Sequence, residues 1–291
     1  MTALSERAML ARLNIRQWSA RKLDRKVTDE VNTAHNASPD AGRYNKRLVS
    51  KDALATIQKV ANEARKMHYA RTLPWQDEGA RILSTAGYLD YTGKVRDLRA
   101  EFESAVDAFV SGYPDFVTDA RSKLNGLFQE TDYPPADDIR SRFAFSVAID
   151  PMPVSDDFRC QLDAAQAEEI RADIEARTRD AITAATRDVW TRISLVVGHM
   201  AEKLKEYKPA VGPGARAEGV FRDSLVENVR DLVAVLPSLN ITGDPALAAI
   251  ADRMQSLCRD DAAELRDNAS ARASVAAEAD AILADVGQFL A

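Results

Sequence analysis

The chain has 291 residues, 46% of them hydrophobic and 29% charged, with only 12 glycines and 11 prolines. These values exclude a disordered chain and disfavour a loop-rich β fold, and the length allows one large domain or two small ones. The net charge of −6 is unevenly spread: residues 1–75 hold 15 Lys and Arg against 7 Asp and Glu, a balance of +8, and residues 76–291 hold 24 against 38, a balance of −14.

Charges run throughout "MTALSERAMLARLNIRQW", so this stretch lacks the apolar core of a signal peptide, and apolar runs such as "ISLVVGHM" are too short to span a membrane. Cys160 and Cys258 lie far apart with no pairing or zinc spacing. The expectation is a cytoplasmic protein without disulfides, membrane contact or cofactor.

In chain order, Leu13 and Ile15 alternate with Asn14 and Arg16, as in a short strand. A basic stretch, "SARKLDRKVTDEV", and a turn-rich loop follow. Ser50 is placed to cap a helix from 51 to about 72, with Leu54, Ile57, Ala61, Ala64 and Met67 on one face. A long helical pattern begins near 88, with the stripe Leu98, Phe102, Val106, Phe109 and Val110; Pro114 should kink or restart it before "TDYPPADD" ends it.

The segment "FAFSVAIDPMPVSDDFRCQL", residues 143–162, reads differently. Phe143, Phe145, Val147 and Ile149 alternate with small residues, the pattern of a strand with one apolar face, and "FRCQL" is a second short strand candidate. Asp150, Asp156 and Asp157 could suggest a metal loop. Their spacing of six and one, with no glycine, favours turn and cap roles instead.

A second long helix spans about 163–208. Its apolar or small positions, from 170 to 207, recur on average every 3.7 residues, which favours a straight pairing over a heptad coiled coil. Pairing it with the 88–127 helix would give an antiparallel hairpin. After "VGPGARAEG", which lacks the lysine and hydroxyl of a P-loop, come helices at about 219–236, from Asp244-Pro245, and from about 270. The expected fold is mainly α: a long antiparallel helical hairpin with a small antiparallel β element in residues 1–208, and a C-terminal helical bundle in 219–291.

His35, His68 and His199 share no ligand spacing; His199, beside Met200, reads as a partly buried structural residue, and His68 beside Tyr69 is the one with some catalytic potential. No nucleophile elbow or zinc motif occurs, so the chain reads as non-enzymatic. The site-like feature is basic: Arg16, Arg21, Lys22, Arg25 and Lys26 with Trp18 among them, then Arg43, Lys46, Arg47 and Lys51 with Tyr44. Lys and Arg neutralise phosphates and an aromatic ring can stack on a base, so these residues are nucleic-acid-binding candidates, DNA or RNA. The alternative is that they complement the acidic remainder, within the chain or between subunits.

The segments "LPWQDEGARIL", "VDAFVSGYPDFVTDARSKLNGLFQETDYP" and "RFAFSVAIDPMPVSDDFR" together resemble a protein family of bacteriophages and prophages to which no activity is assigned. The resemblance covers most of the chain, best between about 70 and 205. It implies an accessory role in a bacterial host cell beside MoxR-type AAA+ ATPases and von Willebrand A-domain proteins, and carries over no catalytic residue. Assembly as a homo-oligomer, or with such an ATPase, is the leading functional expectation. Nucleic-acid binding in phage replication or recombination is the alternative.

Overall fold

In a computed structural model the described residues are 5–75, 79–154, 164–210 and 216–290, with Gly212 and Gly214. The elements in chain order are β1 Ala8–Arg16, β2 Arg21–Leu23, α1 Arg25–Ala34, β3 Asn45–Arg47, α2 Ala55–Arg71, β4 Leu73–Pro74, β5 Arg81–Ser84, α3 Tyr88–Leu124, a single turn α4 Ala136–Ile139, and β6 Ala144–Pro151. There follow α5 Ala164–Glu206, α6 Ser224–Leu239, α7 Pro245–Ser256, α8 Ala262–Asp267 and α9 Ala269–Leu290. Helix dominates, with a four-stranded sheet in the order β4-β5-β1-β6 and a separate β2-β3 ribbon.

The chain forms two compact units, the first made of 1–12, 68–92 and 148–291 and the second of 13–67 and 93–147. In the first, β5 pairs antiparallel with both β1 and β4, placing Leu10 opposite Ile82 and Leu73 opposite Ile82. These side chains join a core filled mainly by helices. Helix α5 packs chiefly along α9, and Trp190 stacks on Phe289 with ring centroids 4.3 Å apart. Along α5, Ala185, Val189, Ile193, Met200 and Leu204 are buried at the steps the sequence pattern gives, but Val197 is buried in place of the expected position 196.

Between Ala185 and Leu204 the stripe of α5 shares one core with α9 and α6, partners that the expected hairpin did not include. After 219 the helix starting at Pro245 ends at Ser256, and Leu265, expected on that same helix, lies on the separate short helix α8. Asp244 caps α7 by accepting from the Ala246 amide at 2.8 Å, with Pro245 at the first helical position, and Asp261 caps α8 through the Glu264 amide at 2.8 Å. Gly219, with φ of +61°, sits so close to the Glu206 carbonyl that a Cβ would lie 2.5 Å from its oxygen, so only glycine fits.

In the second unit, α2 and α3 share a core. Ile57, Ala61, Phe102, Val106, Phe109 and Tyr113 are buried there, and Ser50 caps the segment leading into α2 by accepting from the Ala53 amide at 3.3 Å. Helix α3 continues through Pro114 instead of restarting; its stripe is held by these contacts on both sides of the proline. Strand β6 matches the expected strand and lies beside β1 in the sheet. Its apolar face is covered only in part: Phe143 is buried, Phe145 and Val147 are half-buried and Ile149 is 39% exposed. The second strand candidate, "FRCQL", and Asp156 and Asp157 lie outside the described residues. Asp150 forms an ion pair with Arg12.

Candidate nucleic-acid interface

The basic segment folds into a two-stranded ribbon with a helix inserted between its strands. Strands β2 and β3 pair antiparallel, with Arg21 opposite Arg47, Lys22 opposite Lys46 and Leu23 opposite Asn45. Backbone bonds extend the pairing at both ends, from the Leu48 amide to the Ala20 carbonyl at 2.8 Å and from the Asp24 amide to the Tyr44 carbonyl at 2.9 Å. Side chains alternate between faces along a strand, so the two opposing lysines share one face and the two opposing arginines the other.

The lysine face is neutralised inside the protein. Lys46 Nζ donates to Asp132 at 2.6 Å, to Asp24 at 3.0 Å and to the Leu127 carbonyl at 2.9 Å, and Lys22 Nζ reaches the other oxygen of Asp132 at 2.7 Å. The turn carrying Asp132 is fixed against β3 by the neighbouring Tyr133, whose hydroxyl donates to the Leu48 carbonyl at 2.9 Å. Hydrogen bonding from Lys46 and the Val27 amide holds the Asp24 carboxyl below its ordinary value of 3.8. Burial pushes Asp132 up, but the bonds from Lys22 and Lys46 outweigh it and hold that carboxyl low as well. Burial pulls the Lys46 ammonium down, and its two carboxylate partners more than reverse this.

The structure thus divides the candidates. Trp18 is not free to stack on a base: its ring is half-buried against Phe109 and Tyr113, with centroids 6.2 and 6.0 Å away. Lys46 is buried and Lys22 is paired, so neither is an open cation. Arg16 is exposed and donates to the Ser141 carbonyl at 2.6 Å. The complement reading therefore holds for Lys22 and Lys46, although their acidic partners lie in the same unit. By contrast, Arg21, Arg25, Arg43, Arg47 and Lys51 are exposed and form no ion pair among the described residues, and Tyr44 is 38% exposed beside them. Lys26 is exposed with a loose partner, Glu30, at 3.9 Å.

Helix α1 adds to the positive field. Asp24 caps it, accepting from the Val27 amide at 3.2 Å, but its first turn contains Arg25 and Lys26 and no acidic residue. Cations at a helix N-terminus oppose the macrodipole, and here they line an open groove of about 520 Å³ together with Lys22, Lys46 and the two carboxylates Asp24 and Asp132. The second unit as a whole carries 19 Lys and Arg against 16 Asp and Glu, whereas the first carries 20 against 29. No local sequence pattern singles out Asp24 or links it to Asp132, which lies more than one hundred residues further along the chain.

The histidines do not assemble a reactive centre. His35 and His199 are exposed, the latter contrary to expectation, because His199 points away from the stripe that buries Met200. His68 is buried in the first unit, its Nδ1 at 2.8 Å from the Tyr91 hydroxyl. Desolvation, and then the nearby Arg81 charge, lower its pKa to about 4, while burial pushes Tyr91 up to about 12. A neutral imidazole hydrogen-bonded to a neutral phenol is a structural pair. Arg81 and Arg192 close off its neighbourhood by donating to the Thr72 carbonyl at 3.1 and 2.9 Å. Among the described residues, no group of three or more His, Cys, Asp or Glu side chains is placed to hold a metal ion. Among them also, no helix is long and apolar enough to cross a membrane.

No protein-family model matches this chain, and no curated protein or solved structure matches it either.

Proposed function

We propose that this is a non-enzymatic phage or prophage accessory protein that works by binding, and that its second unit binds nucleic acid. The observation that carries the reading is the contrast between the two faces of the β2-β3 ribbon. Lys22 and Lys46 are neutralised by Asp24 and Asp132, while the arginines of the opposite face stay open to solvent. Phosphate contact is the use for which exposed, unpaired arginines are best suited, since the guanidinium fork matches phosphate oxygens. Fluorescence anisotropy with labelled single- and double-stranded oligonucleotides tests it. Binding at low salt should weaken linearly in log–log form as salt rises. No binding of DNA or RNA at low salt would remove the reading.

A second reading is assembly, either as a homo-oligomer or with the AAA+ ATPase that the resemblance implies. The length of the α5 stripe does not argue for it, because α9 and α6 pack on that stripe between Ala185 and Leu204. What favours it instead is Leu89 and Leu195, 81% and 68% exposed in the first unit. A partner with an apolar surface over these two leucines would remove that area from water. Light scattering that gives the mass of one 32.0 kDa chain, together with no co-purification of the ATPase, would count against both forms.

A further inference from the structure

Resting on the nucleic-acid reading, we infer that the open face of the β2-β3 ribbon is a two-arginine clamp, in which Arg21 and Arg47 together hold one backbone phosphate. The register places these residues directly opposite each other, and directly opposite residues on one face have their Cβ atoms about 4.5–5.5 Å apart. Like charges in that relation destabilise a strand pair. The same ribbon shows how the fold relieves such a conflict: Asp132 lies between Lys22 and Lys46 and bonds to both. No carboxylate among the described residues does this for Arg21 and Arg47, which both remain exposed.

The missing counter-charge is therefore an anion from outside, and its chemistry follows from the residue types. Arginine occupies the open pair and lysine the self-neutralised one. Two planar forks can each offer two parallel N–H donors to a tetrahedral group with several oxygens, which describes a phosphate better than a carboxylate. The adjacent pair on the same face, Leu23 opposite Asn45, is uncharged. The ribbon thus presents one anion position and not a row. Such a contact reads backbone and no bases.

The full chain, with Arg21→Gln, Arg47→Gln and the double variant, tests this with a labelled oligothymidine and with inorganic phosphate. Two arginines on one phosphate predict that the double variant lowers the salt slope by about one phosphate's worth, roughly 0.7 for a single strand, and not by twice that. Each single variant should lose most of what the double loses. Without ligand at low salt, either single variant should melt above the parent, because the opposed charge is gone. Inorganic phosphate should raise the melting temperature of the parent more than chloride at equal ionic strength, and should not do so for the double variant. If the parent binds the oligonucleotide and the double variant binds it identically, the clamp is wrong and the nucleic-acid reading stands. If the parent binds no oligonucleotide, that reading falls and takes the clamp with it.

Discussion

Lys46 on β3 and Asp132 in the turn before α4 meet at 2.6 Å with only 2% of either side chain exposed. The pair ties the basic ribbon to a turn far along the chain, and Asp24 and Lys22 complete the network. Removing one partner of a buried pair strands the other charge, which costs roughly 3–5 kcal/mol. Lys46→Met should fall at the lower end of that range, because Lys22 still reaches Asp132. Denaturant unfolding of the variant measures it, and a loss under about 1 kcal/mol would show the pair to be solvated.

The same network sets an acid limit. Asp24 and Asp132 both have folded pKa values held below the ordinary 3.8. A depressed carboxyl contributes stability that is fully present above the unfolded value and is lost as pH falls through the folded one. Stability should therefore decline below about pH 4. Asp132→Asn should be less stable than the parent at neutral pH and converge towards it in acid. A constant difference from pH 7 to pH 2 would mean that the carboxylate charge plays no part.

His68 gives a second, higher window. Its pKa is lowered from 6.5 to about 4, chiefly by burial. The unfolded chain takes up a proton there before the folded chain does, so this contribution is complete above 6.5 and is lost as pH falls towards 4. The slope within the window is about 1.4 kcal/mol per pH unit. An NMR titration should find an imidazole still neutral at pH 5. Titration near 6.5 would mean that the site is open to water. Tyr91→Phe leaves the imidazole without its 2.8 Å partner and should cost about 1–2 kcal/mol.

Much of this architecture was legible because it is local. Asp244-Pro245 starts α7 where the cap chemistry puts it, and α2 buries Ile57, Ala61 and Ala64 at helical spacing. What the pattern could not supply was the partner of each face. The stripe of α5 is equally compatible with α3 or α9, since both offer apolar residues at helical spacing, and only three-dimensional packing selects α9. The candidate site was half legible for a similar reason. A run of cations is visible in sequence, but which of them an acid neutralises depends on a contact as distant as Lys46 with Asp132.

Strand β6 shows the same limit quantitatively. Period-2 spacing correctly puts Phe143, Phe145 and Val147 on one face, yet Phe145 is only half-buried, with the Phe102 ring 5.7 Å away. Phe102 is 2% exposed. Phe102→Ala should thus cost about 3–5 kcal/mol. Phe145→Ala should cost less, about 1–2 kcal/mol, in proportion to the area it removes from water. Equal losses in urea titrations would place Phe145 in the core.

The two aromatic candidates of the basic segment should behave oppositely. Trp18 leans on Phe109 and Tyr113 inside the second unit's core, so Trp18→Ala should lower stability by about 2–4 kcal/mol. Once measured on folded protein, its affinity for an oligonucleotide should be unchanged. Tyr44 has 38% of its surface open next to Arg43, and its place before β3 is held by backbone atoms, the Thr28 hydroxyl accepting from its amide at 3.0 Å. Tyr44→Ala should therefore leave the melting temperature within a degree or two. If the ring stacks on a base, single-strand binding should weaken by about 1–3 kcal/mol, with the salt slope unaltered because no charge is lost. A fall in slope, or a loss of affinity for Trp18→Ala alone, would reverse the assignment of the two rings.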